Sequence, residues 1–577
     1  MKSIRYIFIL ISIVVVSACS DFLDKVPYSL TPETYFTSED QLQTFLTGVY
    51  SPLMQENFYG NNYFLTNAGG DDLSFYQRSS PTSGLICNNA NSSNASITTF
   101  WRLLYDGINR ANMLLENADN NPAISLSARN RVKAEALFLR SFYYFNLVQG
   151  WGDVPMRLHS VNSPNNLNLP RTPKQQVYDQ IIKDIVSTIP YLYRSDSLSY
   201  TGRITQSGAM GILARIYLFR AGENYRDAAV GNPLTNATDS VLAYFTHARD
   251  WAFQVKSSGI HSLCPVYSSM YADMCRDKYN SAGYRESIWE AEEAGNRSTP
   301  DQAAGRLGNV VGFGATNDYS TVTSLQGLTG MANPGYSYKF IYTSTKLYQM
   351  YESEGDTARE NWNIAPYEYT YASAAPKQVT GRQYYFGKLP AGVTSIQGYP
   401  CTQLSQASSD ANQTRCCAKY RRELEVVTPK NKNYTPINAP ILHYSDVLLM
   451  IAEAENEINP EPTALAYECI DEVRNRALIS PLTGSNLTKE EFRDAVKKER
   501  AMELCFEGIR RWDLIRWGDF YQSMNRMPSD YVNQPGWGAN YKYAANYYNV
   551  SVYYNYYPIP DQEMAVNKAI VKNNPGW

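Results

Sequence analysis

The chain has 577 residues and a net charge of −3, because 52 lysines and arginines stand against 55 acidic residues. That balance, without a long run of one sign, excludes nucleic-acid binding through a basic surface. The four histidines stand apart and show none of the spacings of a histidine-built zinc site. We therefore expect no nucleic-acid partner, no bound metal and no cofactor.

The N-terminus has the three parts of an export signal. Lys2 and Arg5 precede an apolar run at 6–16, and small residues follow the run. The run is too short to cross a bilayer. The segment VSAC, which ends at Cys19, resembles the lipobox of bacterial lipoproteins, in which the cysteine is acylated. These features predict a signal peptide at 1–18, a lipidated Cys19 and a tether at 19–37.

The other cysteines are expected to meet an oxidising compartment, because the signal predicts export. Cysteines in non-helical stretches are the candidates for bridges, and these are Cys264 with Cys275, and Cys401 with Cys416 or Cys417. Cys469 and Cys505 lie inside helical patterns. We expect those two as small buried apolar residues.

Apolar residues that recur every three to four positions predict amphipathic helices along much of the chain. Ser38 caps the first of them. Residues 57–98 then form a long excursion rich in Gly, Asn and Ser, and loops of this length are usually functional or mobile. The helical patterns that follow start at 99, continue at about 127–149, and recur at 205–221 and 240–256.

The helix start near residue 172 is predicted in detail. Thr172, Pro173 and Gln175 supply an N-cap, a proline at the first helical position and an acceptor two residues later. Small residues at 207–214 are expected to let neighbouring helices approach closely. After residue 440 two further helices follow with a short connection, which is typical of stacked helical hairpins.

Together the patterns predict a mainly α fold of irregular tetratricopeptide-like hairpins, since the strict 34-residue period is missing. The hairpins form a scaffold at 38–257 and at 441–577. The block at 258–440 differs, because Gly, Tyr, Asn, Ser and Pro replace long helices there. We interpret it as a variable, loop-rich subdomain that is inserted into the scaffold and binds the ligand.

The stretch from Lys497 to Gly518 continues a helix that begins near residue 488. Thr488 and Glu491 form a capping box ahead of it. The pattern is apolar nearly all round, which predicts a buried helix. Gly508 marks either a break or a tight helix crossing, because glycine is unfavourable inside a helix.

Glu499 and Glu503 on this helix face permit two interpretations. A pair of acids beside a tryptophan is typical of a glycoside hydrolase. The alternative is a buried ion-pair network, in which Glu507 reaches Arg510 and Arg511 at helical spacing. We favour the network, because charges on a buried helix require partners.

Eight stretches in a fixed order resemble the SusD/RagB family of bacterial outer-membrane nutrient-binding lipoproteins. They are CSDFLDKVP at Cys19, LRSFYYFNLVQGWGDVPM at Leu139, RTPKQQVYDQIIKDI at Arg171, GRITQSGAMGILARIYLF at Gly202, HYSDVLLMIAEAENEI at His443, KKERAMELCFEGIRRWDLIRWG at Lys497, YYPIPDQEMAVN at Tyr556 and NNPGW at Asn573. The similarity is thin over 57–98 and 258–440. The ordered set, more than any one stretch, carries the resemblance.

The resemblance implies a cell-surface lipoprotein, held in the outer membrane by acyl chains and facing the exterior. Such a protein captures a glycan, or in some relatives a peptide, and delivers it to a SusC-like TonB-dependent transporter. It also implies about four tetratricopeptide-like units and no catalysis. A secreted glycoside hydrolase that uses two carboxylates remains the alternative of a different class.

Ligand residues are predicted from composition and position, because the family's ligand residues lie outside its shared helical motifs. Sugar capture requires aromatic faces and polar groups, and the chain has 47 tyrosines. The candidates are Asp72, Tyr76 and Arg78 in the loop at 57–98, and Tyr319, Tyr336 and Trp362 in the block at 258–440. Trp289 is expected in the core, and no catalytic residue is predicted.

Overall fold

The computed structural model describes residues 35–81, 83–161, 163, 167–229, 238–295, 305–410, 415–532, 543–544 and 547–577. The predicted signal peptide, Cys19 and most of the predicted tether lie outside these ranges. Within them, no helix combines the length and the apolar character that crossing a membrane requires.

Helices dominate the described part of the chain. The first eight are α1 (Glu39–Tyr50), α2 (Asn62–Gly69), α3 (Ala95–Asn117), α4 (Leu126–Trp151), α5 (Lys174–Thr188), α6 (Gln206–Ala229), α7 (Thr238–Ser257) and α8 (Ser268–Cys275). Five short helices follow: α9 (Leu307–Val310), α10 (Thr323–Gln326), α11 (Thr345–Glu354), α12 (Thr357–Asn363) and α13 (Gln406–Asp410). The last six are α14 (Tyr444–Ile458), α15 (Ala464–Arg476), α16 (Lys489–Leu504), α17 (Arg510–Arg516), α18 (Phe520–Met527) and α19 (Asp561–Val566).

The strands are short and form three small sheets. They are β1 (Ser74–Tyr76), β2 (Ser287–Ala291), β3 (Ile341–Thr343), β4 (Tyr367–Tyr371), β5 (Val379–Tyr384), β6 (Ser395–Ile396), β7 (Tyr399–Gln403) and β8 (Ala439–His443). Strand β1 pairs with β3 and β2 with β8, while β4, β5, β7 and β6 form a four-stranded sheet in that order. The block at 258–440 therefore contains a small sheet of its own beside its loops.

The long helices pack as successive pairs, as the hairpin patterns predict. Helix α3 packs on α4, α4 on α5, α6 on α7, and α14 on α15, while α7 also packs on α14. Helix α4 is central, since every residue from 138 to 151 is buried, and a helix buried all round lies inside the scaffold. The prediction of a mainly α fold of paired helices is confirmed.

Glycines of α6 allow close contacts with two neighbouring elements. A Cβ on Gly211 would lie 2.4 Å from a Leu442 methyl group, and one on Gly222 would lie 2.3 Å from the Arg516 carbonyl oxygen. Both distances are too short for a real side chain. The small residues of this helix therefore permit close approach, as expected, toward β8 and the end of α17.

Two of the three predicted helix caps form. Ser38 caps α1 and Thr488 caps α16, each in a complete capping box. The cap predicted at Thr172 is wrong, because α5 begins at Lys174 and the preceding Pro173 offers no side-chain acceptor. The Asp153 carboxylate, from the loop after α4, accepts the Lys174 N–H at 2.9 Å instead. The acceptor that caps α5 therefore comes from a residue 21 positions away from Lys174.

The stretch at 497–518 is not one helix. Helix α16 ends at Leu504 and α17 begins at Arg510, with Phe506 at φ 64° and Gly508 at φ 73° between them. The predicted pairing of Glu507 with Arg510 and Arg511 is therefore wrong. Glu507 instead binds Lys419 at 2.7 Å and His443 at 2.8 Å. Gly508 lies in the break, and it also permits a close approach, since an added Cβ would lie 2.7 Å from the Tyr63 ring of α2.

The eight cysteines of the described ranges are free thiols. The candidate bridges between Cys264 and Cys275, and from Cys401 to Cys416 or Cys417, are thus not formed. Burial raises the pKa of Cys275 and that of Cys416 to about 12, so these thiols stay protonated. Cys469 and Cys505 are buried, as expected for small apolar residues in helices.

Candidate ligand-binding surface

Strand pairing joins the two regions in which ligand residues are predicted. Strand β1 lies in the loop at 57–98, and β3 lies in the block at 258–440. They pair antiparallel with Tyr76 opposite Ile341, and the Gln77 N–H donates to the Phe340 carbonyl oxygen at 2.7 Å. The first loop and the segment before β3 therefore form one continuous surface.

Three aromatic side chains stand on that surface in alternation with buried residues. Tyr336, Tyr338 and Phe340 are partly exposed, while Ser337 and Lys339 between them are buried. The Tyr336 and Tyr338 ring centroids lie 4.9 Å apart at 82°, and the Tyr338 and Phe340 centroids lie 4.9 Å apart at 8°. We call these three residues the aromatic row.

The buried residues fix the aromatic row from below. The Ser337 hydroxyl donates to the Asn309 and Gly312 carbonyl oxygens at 3.0 and 2.7 Å. Lys339 has φ 50°, a conformation that non-glycine residues rarely adopt, and its ammonium group binds Glu368 at 2.6 Å. Ser337 and Lys339 therefore anchor the backbone between the rings of the aromatic row.

Burial and charge act in opposite directions on the Lys339 ammonium group. Burial favours its neutral form, but the Glu368 carboxylate outweighs that effect and raises the pKa of Lys339 above its ordinary value. Lys339 also places its Nζ atom 4.7 Å from the Phe313 ring centroid. The residue stays charged and anchored at neutral pH, which holds the backbone beneath the row.

Tyr76 and Arg78 of the first loop adjoin the row. The Tyr76 ring lies 5.1 Å from that of Phe340 and 6.2 Å from that of Tyr547. The Arg78 guanidinium carbon lies 4.8 Å from the Phe340 centroid, and Nη2 donates to the Tyr338 carbonyl oxygen at 2.6 Å. Arg78 is therefore held in a defined position against the ring.

A lysine stands at the other end of the row. The Lys432 Nζ atom lies 5.2 Å from the Tyr336 centroid and 3.2 Å from the Asp318 carboxylate. Burial raises the pKa of the partly exposed Tyr336, so its phenol stays protonated and can donate a hydrogen bond. The surface thus combines ring faces, hydroxyl groups and a cation at either end.

Two of the six predicted ligand residues, Arg78 and Tyr336, are partly exposed at this surface, and a third, Tyr76, packs against it as a buried residue that is 8% exposed. Asp72 does not lie there, because it is fully buried and accepts from Arg510 at 2.8 and 3.0 Å. Its carboxylate also binds Lys346 at 2.6 Å. Asp72 is therefore a partner inside the scaffold, and we leave it out of the candidate surface.

Tyr319 and Trp362 pack in two other clusters. Tyr319 is buried, and its hydroxyl donates to the Lys377 carbonyl oxygen at 2.6 Å. Trp362 is half-buried on α12, with the Arg421 guanidinium carbon 4.1 Å from its ring. Tyr319 is left out of the surface because it is enclosed, and Trp362 stands apart from the row. Trp289 is fully buried, as expected.

The acid pair of α16 lies inside the protein and not in a cleft. Arg359 binds Glu499 at 2.6 Å and Glu503 at 3.1 Å, and all three side chains are fully buried. Arg474 adds a bond to Glu499 at 2.9 Å. Burial alone would raise the pKa of Glu503, but Arg476 and Arg359 lower it to about 2. An acid that stays ionised cannot protonate a glycosidic oxygen, and the prediction of a buried ion-pair network is confirmed.

A second group of acids around His443 resembles a metal site in its distances alone. Ligand atoms of Glu286, His443 and Glu503 lie within 4.8 Å of one another. However, His443 Nε2 binds Glu507 at 2.8 Å, and its Nδ1 atom lies 2.8 Å from the Ser445 hydroxyl. Burial opposes its charge, yet Glu507 raises the pKa of His443. An imidazole with both nitrogens engaged by protein groups is a poor metal ligand.

Three residues of the surface were missed by sequence reasoning: Tyr338, Phe340 and Lys432. The segment YSYKF at 336–340 places a ring at every second position, and that alternation is the signal that could have found the first two. Lys432 carries no comparable signal, because only the folded chain brings it to Tyr336.

Comparisons with known proteins agree with the fold. A family model described as the SusD family matches residues 285–577, and one described as starch-binding associating with outer membrane matches residues 21–218. SusD-like protein P2 of Formosa agariphila is 26% identical over 603 aligned residues, covering 100% of both chains.

Solved structures give the same result at the level of the fold. A SusD homolog from Bacteroides thetaiotaomicron has a TM-score of 0.74 at 24% identity, covering 95% of this chain and 98% of that one. A laminarin-binding SusD-like protein has a TM-score of 0.63 at 21% identity, covering 94% of this chain and 100% of that one. Since a family model accounts for more than half of the sequence, the chain belongs to the SusD family.

Proposed function

We propose that this protein is a non-catalytic surface lipoprotein that binds a glycan on the aromatic row. The observation that carries the proposal is the row itself, with Tyr338 stacked on Phe340 and the Tyr336 ring beside them. Sugar rings offer C–H faces that pack on aromatic rings and hydroxyl groups that pair with polar edges. A shallow, pre-positioned surface suits capture.

The family and the N-terminus support the wider role. One matching family model is described as associating with the outer membrane, and the segment that ends at Cys19 has the form of a lipobox. We propose that acyl chains on Cys19 hold the protein on the cell exterior, and that it delivers its ligand to a SusC-like TonB-dependent transporter. The block at 258–440 would carry specificity, because it supplies the row.

The capture proposal is tested by affinity electrophoresis and calorimetry with laminarin and a panel of other polysaccharides. Tyr338→Ala is expected to weaken binding about tenfold or more, because a buried aromatic contact contributes on the order of 1.5–3 kcal/mol. Trp362→Ala is the matched control, since Trp362 stands apart from the row, and should bind as the parent protein does. Retention that survives Tyr338→Ala would refute the assignment of the site.

Incubation of the protein with each glycan that it retains tests the absence of catalysis. We expect no new reducing ends, because the acids of α16 are buried and paired. Turnover that disappears in Glu499→Gln, while the fold persists, would support the hydrolase instead. Retention of peptides and of no glycan would replace the glycan by a peptide ligand.

A further inference from the structure

We infer that the aromatic row is built for acidic glycans, with Arg78 as the residue that binds a ligand carboxylate or sulfate group. The inference rests on the proposed glycan-binding role and adds the chemical class of the ligand. It follows from the hydrogen bonds and charges around Arg78, Lys339 and Lys432.

Arg78 keeps two of its five guanidinium donors unused. Its Nη1 atom donates to the carbonyl oxygen and to the side-chain Oε1 of Gln77 at 2.6 and 2.7 Å, and Nη2 donates once, to the Tyr338 carbonyl oxygen at 2.6 Å. A guanidinium group has five N–H donors. The Nε–H and the second Nη2 hydrogen therefore have no acceptor among the described residues.

Nε and Nη2, which carry these two donors, are the atoms with which other arginines of this chain bind carboxylates. Arg510 uses Nε and Nη2 to bind the two oxygens of Asp72 at 2.8 and 3.0 Å. Arg194 binds Asp196 in the same way, at 3.1 and 2.8 Å. Such paired donors match the two oxygens of a carboxylate or sulfate group. Arg78 has the same donor pair and lacks the protein carboxylate.

The charge around the row is positive on balance. Lys339 is neutralised by Glu368 at 2.6 Å, and Lys432 lies 3.2 Å from Asp318. No carboxylate of the described ranges forms an ion pair with Arg78, which leaves one cation uncompensated. The Lys432 pair is itself partly exposed, with side chains 42% and 23% accessible. Exposed pairs of this kind are weak, so Lys432 can also turn toward a ligand anion.

Arg78 is also fixed before a ligand arrives. Its contact with the Phe340 ring and its three hydrogen bonds hold the guanidinium group, so that little side-chain freedom is lost on binding. A sugar that packs on Tyr338 would thus present an acidic substituent to a pre-oriented donor pair. A neutral glucan would pack on the ring faces, and the donor pair of Arg78 would remain hydrated.

Binding to three purified polysaccharides tests the inference: polygalacturonate, which has carboxylates, carrageenan, which has sulfates, and neutral laminarin. We expect at least one acidic polysaccharide to bind about tenfold or more tightly than laminarin at low salt, with weakening as salt rises. Arg78→Gln should remove most of that preference and of the salt dependence. Arg78→Lys should recover part of it, since it keeps the charge and loses the paired donors.

Arg194→Gln is the control for loss of one positive charge, because Arg194 is exposed and paired outside the row. It should bind all three polysaccharides as the parent protein does. Laminarin binding as tight as acidic binding, or a preference that survives Arg78→Gln, overturns the inference and leaves glycan capture intact. Absence of binding to every glycan overturns the proposed function itself. If Arg78→Gln has a clearly lower melting temperature than the parent protein, the inference is tested by Arg78→Lys and by the salt series of the parent protein.

Discussion

At the scale of single residues, buried charges shape the scaffold. Arg359 bridges two carboxylates of α16, and Arg474 and Arg476 of α15 each bind one of the same carboxylates. Each of these charged groups is buried and has lost its hydration, so its stability in the folded protein depends on its ion-pair partners. The network therefore fixes how α12, α15 and α16 dock, and removal of one member reduces the compensation of the charges that it binds.

Glu503→Ala tests this dependence. The substitution removes one of the two carboxylates that bind Arg476, the other being Glu286, and one of the partners of Arg359. We expect a loss of up to about 3 kcal/mol in the free energy of unfolding, measured by urea denaturation, because the buried arginines keep only part of their compensation. Glu490→Ala, at an exposed position of the same helix, is the control and should change stability little. Ligand affinity of the folded fraction should be unchanged. Lost affinity with intact stability would contradict a structural role for Glu503.

At the scale of elements, the break between α16 and α17 directs Arg510 toward Asp72. A continuous helix would place Arg510 two turns beyond Glu503 on the same face. Instead, the left-handed Phe506 and Gly508 turn the chain, and Arg510 reaches Asp72 in the loop before β1. That ion pair connects the C-terminal scaffold to the strand that carries Tyr76. The turn thus contributes to the position of the candidate surface.

Gly508→Ala should be costly at this turn. Its φ of 73° disfavours any side chain, and an added Cβ would lie 2.7 Å from the Tyr63 ring. We expect a loss of about 1–3 kcal/mol in thermal or urea unfolding. Gly48→Ala in α1 is the matched control, because an added Cβ meets nothing within 4 Å there. It should be neutral or stabilise the protein by up to about 1 kcal/mol. Equal effects of the two substitutions would refute the backbone argument.

At the scale of the whole molecule, sequence reasoning succeeds where information is local. Periodic apolar residues gave the long helices, and Ser38 and Thr488 gave caps that depend on residues three positions away. It fails where partners are distant. Asp153 replaces Thr172 at the start of α5, and Arg510 buries Asp72 across 438 positions of sequence. No pattern in the neighbouring residues predicts either contact.

The candidate surface follows the same division. Tyr76, Arg78 and Tyr336 could be named because polar loops with aromatic residues are typical of ligand contacts. Their meeting at one place depends on the pairing of β1 with β3, which no local pattern contains. Lys432 reaches Tyr336 only through the folding of the block at 258–440. Composition therefore suggested the kind of residue, and long-range pairing decided which of them share a surface.

The pairing of β1 with β3 also allows ligand binding at the surface to be detected by hydrogen exchange. Arg78 and Tyr338 lie 260 positions apart in the sequence, and local opening of the β1–β3 pairing would separate them. A ligand that contacts both β1 and the segment before β3 binds only the paired state. At a free ligand concentration of a hundred times Kd, binding therefore raises the free energy of opening by about 2.7 kcal/mol. The Gln77 amide, which donates to Phe340, should then exchange its hydrogen more slowly with deuterium. Protection confined to other segments would place the ligand elsewhere.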